Sequence, residues 1–184
     1  MPNRAGSASR PYCPSMPWTA DLVTTDRLTL RPFEERDKEA LIEMYTSPEV
    51  RRYLGGPVGA ETVEALRGAD IGATWGSFCI AEQRNDEAIG SCSFDRDRGE
   101  LEVSFQFLPE RAGLGFAHEA VSAALRWSWR TLDDDSITAM TQTANVAALA
   151  LLRRLGFVQE SRRDEFGVEQ VLLRLERPAT ITPA

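Results

Sequence analysis

The segment ERAGLGFAHEAV, residues 110–121, carries the clearest chemical signal in the sequence. Gly113 and Gly115 stand one residue apart, immediately before a predicted helix. Glycines at a strand-to-helix junction let backbone N–H groups approach a phosphate, and the helix dipole adds about half a positive charge behind them. The segment therefore predicts either a phosphate site or a tight strand-to-helix connection without a ligand.

Two other phosphate-binding loops fit this segment poorly. A Walker loop has a lysine directly after its glycines, and the only lysine of the chain, Lys38, lies far upstream. A dinucleotide-binding fingerprint has a third small residue where His118 stands, and it follows a fully buried parallel strand. Residues 101–108, LEVSFQFL, instead alternate apolar and polar side chains, which predicts a strand with two different faces.

Length and composition indicate one globular domain. The chain has 184 residues, of which 42% are hydrophobic and 27% are charged, so it can bury a substantial core. It has no apolar run of about 18 residues and no apolar stretch typical of a secretory signal. We therefore expect a cytoplasmic protein that does not contact membranes. We predict one domain over residues 21–177, a disordered tail at residues 1–20 and a short tail at residues 178–184.

The net charge and the scarcity of metal-binding residue types argue against nucleic-acid binding and against a metal site. The formal net charge of −7 argues against nucleic acid as a partner and suits a cationic substrate. His118 is the only histidine, and Cys13, Cys79 and Cys92 show no metal-ligand spacing, so we expect no metal. We expect the cysteines to be reduced, buried thiols.

Hydrophobic periodicity predicts helices and mostly antiparallel strands in a mixed order, which indicates an α/β or α+β sandwich. A helix is also predicted directly after the glycine segment, and Gly156 followed by Phe157 fits a Schellman cap at the end of the helix before it. The other predicted helices cover residues 34–45, 47–57, 61–72 and 145–155, and the predicted strands cover residues 28–30, 77–82, 88–94, 101–108, 136–142 and 170–176.

These motifs, in this order, resemble the GNAT superfamily of acyl-CoA-dependent N-acetyltransferases. The resemblance rests on the two-faced strand, on the turn x-x-G-x-G-F-A-x-E-A, and on NVAALALLRRLGF from Asn145. TTDRLTLRPFEERD and SPEVRRYLGG resemble the branch that contains the ribosomal-protein N-terminal acetyltransferases. The resemblance spans residues 22–176 and implies a GNAT-type mixed, mostly antiparallel central sheet flanked by helices.

The resemblance also implies a binding site for acetyl-CoA as co-substrate. Phe105, Gln106 and Phe107 would pair through their backbone with the pantetheine arm, and the Phe107 N–H would polarise the thioester carbonyl. Asn145 would hydrogen-bond the pantetheine arm, cap its own helix, or do both. Leu152 would also belong to the acetyl-CoA site. The pyrophosphate would lie on the turn formed by Arg111, Ala112, Gly113, Leu114, Gly115, Phe116 and Ala117.

The catalytic groups depart from the family pattern. Ala148 stands where the branch commonly has a serine, and Leu152 stands where other branches have a tyrosine, so the usual proton donor to the departing thiolate is absent. The candidate bases for the amine are Glu165 and Glu102, and the alternative for either, a solvated surface carboxylate, is the commoner role of such a residue. Glu110 stands where the family often has Gln or Arg.

The function that these motifs favour is transfer of an acetyl group from acetyl-CoA to a primary amine. The acceptor is a protein N-terminus or a small cationic amine such as a polyamine or an aminoglycoside, and Tyr45, Tyr53 and Trp75 are candidates to line its pocket. Two alternatives stay open, a catalytically silent CoA-binding module and a transferase for another acyl donor such as succinyl-CoA. We expect a monomer or homodimer with acetyl-CoA and an amine as its partners.

Overall fold

A computed structural model describes residues 22–97, 99–165 and 167–179. The predicted tail at residues 1–20 and residues 180–184 lie outside this range. The helices are α1 (Lys38–Thr46), α2 (Ala60–Gly68), α3 (Phe116–Thr131) and α4 (Val146–Arg154), with 3-10 helices at Glu35–Asp37, Val50–Tyr53 and Pro109–Arg111. The strands are β1 (Val23–Thr24), β2 (Leu28–Arg31), β3 (Ser77–Glu82), β4 (Ala88–Asp97), β5 (Glu100–Phe107), β6 (Ser136–Gln142), β7 (Val158–Glu165) and β8 (Val168–Glu176).

The strands form one sheet in the order β1-β2-β3-β4-β5-β6-β8-β7. Within the described sheet, β5 and β6 are the parallel pair and all other neighbours are antiparallel. A parallel pair requires a crossover connection, and α3 supplies it. The prediction of a mixed, mostly antiparallel sheet flanked by helices is therefore confirmed.

The two faces of the sheet are covered by different helices. On one face, which we call the α3 face, α3 and α4 bury the main core, including Phe78, Phe94 and Leu152. On the other face, which we call the α1 face, Cys79 and Ala81 pack with Phe33 and with Leu41 of α1. Since successive side chains of a strand point to opposite faces, the register assigns every strand residue to one of them.

The cap at the end of α4 lies where the sequence predicts it. Gly156 has a φ of 93°. Its N–H donates to the Arg153 carbonyl at 3.1 Å, and the Phe157 N–H donates to the Leu152 carbonyl at 3.0 Å. This is the predicted Schellman cap of α4. The predicted helix over residues 47–57 is only a 3-10 turn at Val50–Tyr53, and the one predicted over residues 61–72 is α2, which ends at Gly68.

The described cysteines, Cys79 and Cys92, are free and buried. Burial raises the pKa of each thiol to about 12. Since the thiolate is the reactive form, neither cysteine is a nucleophile at neutral pH. Cys13 lies outside the described residues.

A buried ion pair joins β2 to the start of α1. The Arg31 and Asp37 side chains are 5% and 3% exposed, and their closest N–O distance is 2.6 Å. The Glu34 N–H also donates to Asp37 at 2.8 Å, and Asp86 accepts from the Arg31 Nε at 3.0 Å. Burial alone raises the pKa of Asp37, but the hydrogen bonds from Arg31 and from the Glu34 N–H outweigh it and hold that pKa below its usual value.

Asp37→Asn should lower the free energy of unfolding by about 3 kcal/mol at pH 7, because it removes one partner of a buried charge. Since the native pKa of Asp37 is depressed, its stabilisation is complete above the unfolded pKa of about 3.9 and is lost as the pH falls through the native value. Urea denaturation between pH 7 and pH 3 should therefore show a smaller loss of stability in Asp37→Asn than in the parent. Asp133→Asn, at an exposed position, is the control, and the same pH dependence in all three proteins would contradict the prediction.

Candidate functional site

A cleft opens where β5 and β6 separate. In the described sheet, the two strands pair only at Leu101–Ile137 and at Glu102–Thr138. β5 nevertheless continues to Phe107 and β6 to Gln142. The last five residues of β5 therefore have β4 on one side and this opening, the β5–β6 cleft, on the other.

Backbone groups of β5 point into the cleft. The Leu108 N–H donates to the Ile89 carbonyl at 2.9 Å, and Phe107 is the next residue in register, opposite Gly90. Hydrogen-bonded and non-hydrogen-bonded pairs alternate along an antiparallel ladder, so the N–H and carbonyl groups of Phe105 and Phe107 face away from β4. They are thus available to a molecule that enters the cleft.

Gly90 allows β4 to lie close to the end of β5. A Cβ atom at Gly90 would lie 2.6 Å from the backbone carbonyl oxygen of Gln106 and 2.8 Å from the Phe107 ring. Any residue other than glycine would therefore force these neighbouring atoms to move. The glycine therefore fixes the end of β5, from which the Phe107 N–H points into the cleft.

The glycine turn connects the end of β5 to α3. Gly113 and Gly115 have φ values of 76° and 81°, in the left-handed region that favours glycine. Nothing lies within 4 Å of an ideal Cβ at Gly113, so this side of the turn is open. Phe116 and Ala117 begin α3, where the first N–H groups of a helix have no intrahelical acceptor. The predicted turn thus has a geometry that can hold an anion.

Arg27 fixes this turn to the start of α3, a contact that sequence reasoning missed. Its guanidinium donates to the Leu114 carbonyl at 3.0 Å and to Glu119 at 2.7 Å, and lies 4.4 Å from the centre of the Phe116 ring. Thr25 also donates to Glu119, at 2.6 Å. Burial raises the pKa of Glu119, but the hydrogen bonds from Thr25 and Arg27 outweigh it and hold that pKa below its usual value.

The Arg111 side chain contacts two carboxylates. Its guanidinium lies 3.0 Å from Glu82, whose side chain is 6% exposed, and 3.4 Å from Glu87. A guanidinium held by two carboxylates has little free charge for a phosphate. The N–H groups of Arg111 and Ala112 are also occupied, because they donate to the Leu108 and Pro109 carbonyls at 3.1 Å and 3.0 Å.

Asn145 and Leu152 both have structural roles in α4. The Asn145 Oδ1 accepts from the Ala148 N–H at 3.2 Å, and its Nδ2 donates to Thr141 at 3.1 Å. Asn145 thus caps α4 and connects it to β6, and its predicted contact with a bound molecule stays a prediction. Leu152 is 1% exposed in the core, and this burial argues against its predicted contact with a cofactor.

A polar pocket of about 240 Å³ lies on the α1 face, next to the cleft. Polar residues of three neighbouring strands lie side by side in it. Ser77 of β3 is opposite Ser93 of β4, and Ser93 is opposite Ser104 of β5. Ser91 of β4 is opposite Gln106 of β5. The Gln106 Oε1 is buried and has no hydrogen-bond partner among the described residues. The full lining consists of Phe33, Leu41, Tyr45, Arg51, Leu54, Ser77, Ser91, Ser93, Ser104, Phe105 and Gln106.

A larger groove of about 770 Å³ lies between α1 and the β3–β4 turn. Its lining includes Glu39, Glu43 and Glu110 but no residue of β5. The smaller pocket, which contains Phe105 and Gln106, is therefore the one that shares residues with the β5 edge of the cleft. Of the aromatic residues predicted to line a pocket, Tyr45 does so, whereas Trp75 packs against the core and the Tyr53 carbonyl accepts from Gln142 at 3.2 Å.

Both candidate bases lie on the α1 face. Glu102 is on the same side of β5 as Ser104 and Gln106. Glu165, the last residue of β7, is opposite Val168 of β8, and Val168 is on the same face of the sheet as Gln170, two residues further along β8. Gln170 is opposite Gln142 of β6, which is on the same face as Thr138 of β6. Thr138 is in turn opposite Glu102 of β5, so the two glutamates share this face. Neither glutamate lines the pocket itself.

No group of three or more His, Cys, Asp or Glu residues within residues 22–97, 99–165 and 167–179 could hold a metal ion. Over the same residues, no helix combines the length and the apolar character needed to cross a membrane.

Comparison with known proteins identifies relatives of this chain. Residues 27–158 match the family model of the acetyltransferase (GNAT) domain. The uncharacterized N-acetyltransferase p20 of Bacillus licheniformis is 28% identical over 149 residues, which cover 76% of this chain and 84% of p20. An acetyltransferase of the GNAT family from Bacillus anthracis superimposes with a TM-score of 0.72 at 20% identity, over 85% of this chain and 98% of its own.

A further solved structure shares the fold. The spermidine N-acetyltransferase of Vibrio cholerae, in complex with CoA and spermine, superimposes with a TM-score of 0.68 at 19% identity. The match covers 83% of this chain and 97% of that structure. At such low identity the likeness shows the fold and leaves the acceptor open.

Proposed function

Since the chain belongs to the GNAT family of acetyltransferases, we propose that it transfers the acetyl group of acetyl-CoA to a primary amine. The observation that carries the proposal is the placement of the glycine turn, the β5–β6 cleft and the polar pocket around the end of one strand, β5. The turn suits a diphosphate, the cleft suits an extended amide-bearing arm, and the pocket suits an acceptor.

Acetyl-CoA is proposed to bind along the cleft. The N–H groups of Gly113, Gly115 and the first turn of α3 donate to its diphosphate. The backbone of Phe105 and Phe107 pairs with the amides of its pantetheine arm as an added strand would. The thioester carbonyl then accepts from the Phe107 N–H, which stabilises the oxyanion of the tetrahedral intermediate.

The amine is proposed to approach from the α1 face, through the polar pocket. Its nitrogen forms a bond to the thioester carbonyl carbon, and the carbon–sulfur bond then breaks with CoA leaving as the thiolate. One proton leaves the nitrogen, with Glu165 or Glu102 as the acceptor, directly or through water. One proton returns to sulfur, and water supplies it, because Ala148 and Leu152 have no proton to give.

Release of the free CoA thiol tests this function directly. We expect thiol release from acetyl-CoA that depends on an added primary amine, with the acetylated amine identified by mass spectrometry. Reactions without amine measure hydrolysis, and reactions with succinyl-CoA test the other donor. Binding of CoA by calorimetry without thiol release for any amine would instead support a silent CoA-binding module, and faster release from succinyl-CoA would reassign the donor.

A further inference from the structure

We propose that the side-chain carbonyl of Gln106 binds the N–H of the attacking amine, and that the pocket around it disfavours amines that carry a second positive charge. This inference rests on the proposed acetyl transfer and deepens it. It assigns the acceptor site to a named atom and names the class of acceptor.

The Gln106 Oε1 is the feature that indicates a ligand. It is the one buried side-chain nitrogen or oxygen in the described part of the chain that has no hydrogen-bond partner. Burying a polar atom without a partner costs free energy, and such an atom in a pocket commonly finds its partner in a ligand or in water. A carbonyl oxygen accepts hydrogen bonds, so the partner that it requires is a donor such as an amine N–H.

The position of Gln106 fits this role. It lies between Phe105 and Phe107, whose backbone N–H groups point into the cleft, while its own side chain lines the pocket on the α1 face. An amine that comes through the pocket therefore passes the Gln106 Oε1 before it reaches a thioester held by the Phe107 N–H. The hydrogen bond would orient the nitrogen lone pair toward the carbonyl carbon.

The charge of the lining determines the class of acceptor. The pocket contains hydroxyl, amide and apolar groups but no carboxylate, and Arg51 is the charged residue in its lining. The Arg51 guanidinium donates to the Leu54 carbonyl at 2.7 Å and to the Gly56 carbonyl at 3.1 Å. A second ammonium group would enter this pocket near a like charge and without a counter-ion, which is costly.

The volume limits the size of the acceptor. A pocket of about 240 Å³ encloses a small amine or one end of a larger one. Glycinamide, a small neutral amine with its own hydrogen-bonding groups, is a suitable probe, and propane-1,3-diamine is a matched probe with a second charge.

The first test replaces Gln106 by leucine. We expect the KM for glycinamide to rise about tenfold or more, which corresponds to the loss of one hydrogen bond of about 1.4 kcal/mol, while the affinity for CoA is unchanged. The melting temperature should not fall and should rise by about 2–4 °C, because a buried atom without a partner is removed. A residue with a purely structural role would show the reverse, a lower melting temperature and an unchanged KM. Gln159→Leu, at an exposed position of β7, is the control for the amide-to-leucine change.

The second test replaces Gln106 by glutamate, which places a carboxylate in the pocket. We expect the ratio of kcat/KM for propane-1,3-diamine over glycinamide to rise at least tenfold, because the second ammonium gains a counter-ion. An unchanged ratio, together with an unchanged KM in Gln106→Leu, would overturn the inference while leaving acetyl transfer intact. If the parent acetylates no amine at all, the proposed function itself fails, so the two failures are distinguishable.

Discussion

Gly113→Val should reduce the affinity for CoA about 100-fold or more and leave a folded protein, a loss of about 2.7 kcal/mol in binding free energy. The reason is twofold. Gly113 has a φ of 76°, which a β-branched residue adopts only at a cost of about 1–3 kcal/mol, so the turn would distort. The open space around its Cβ position is also where a bound diphosphate would lie, and a side chain would occupy it. Calorimetry with CoA measures the loss, and thermal denaturation checks the fold.

Gly99→Val is the matched control for backbone strain. Gly99 has a φ of 91°, and nothing lies within 4 Å of its ideal Cβ, as at Gly113. It lies in the β4–β5 turn, at the other end of a strand of eight residues, about 25 Å away. We expect a similar loss of stability in both variants but a loss of CoA affinity only in Gly113→Val. Equal affinity in both variants would remove the turn from the CoA site.

The features that the sequence predicts well are local. Residues 101–108 alternate because one face of β5 is buried, and the structure confirms this strand and the turn that follows it. The Schellman cap at Gly156 depends on residues within one helical turn, so its sequence pattern is sufficient. The bounds of β3 and β6 also follow from short apolar runs between polar turns.

The features that the sequence did not reveal depend on contacts between distant residues. Arg27 and Glu119 are 92 residues apart, and neither has a local pattern that would identify the other. Arg111 lies in the predicted turn, yet its side chain is held by Glu82 of β3. Since side-chain partners are set by packing, a residue in a binding motif can direct its charge elsewhere.

The polar pocket at Gln106 could not be predicted for the same reason. Its serines come from three strands that pair only in the folded sheet, and α1 contributes Leu41 and Tyr45 to its lining. The net charge of −7 suggests a cationic substrate, but carboxylates concentrate in the larger groove and none lines the pocket at Gln106. Overall charge is therefore a poor guide to the groups that line one particular pocket.

Glu165→Gln should lower the rate of acetylation about 100-fold or more at neutral pH, if the carboxylate takes the proton from the amine. The substitution keeps the shape of the side chain and removes its basicity, so the affinity for CoA should stay the same. Glu169→Gln, at an exposed position on the same hairpin, is the control.

Glu102→Gln distinguishes the two candidate bases, because the two glutamates lie at different places on the α1 face. Glu102 is two residues before Ser104 of the pocket on β5. Glu165 is opposite Val168, two residues before Gln170, and Gln170 is opposite Gln142, the last residue of β6. A loss confined to Glu102→Gln would assign the proton transfer to β5 and leave Glu165 a surface residue. If neither substitution changes the rate or its pH profile, the amine reaches the thioester already deprotonated. In that case, raising the pH should increase the rate in parallel with the neutral fraction of the amine, for the parent and both variants alike.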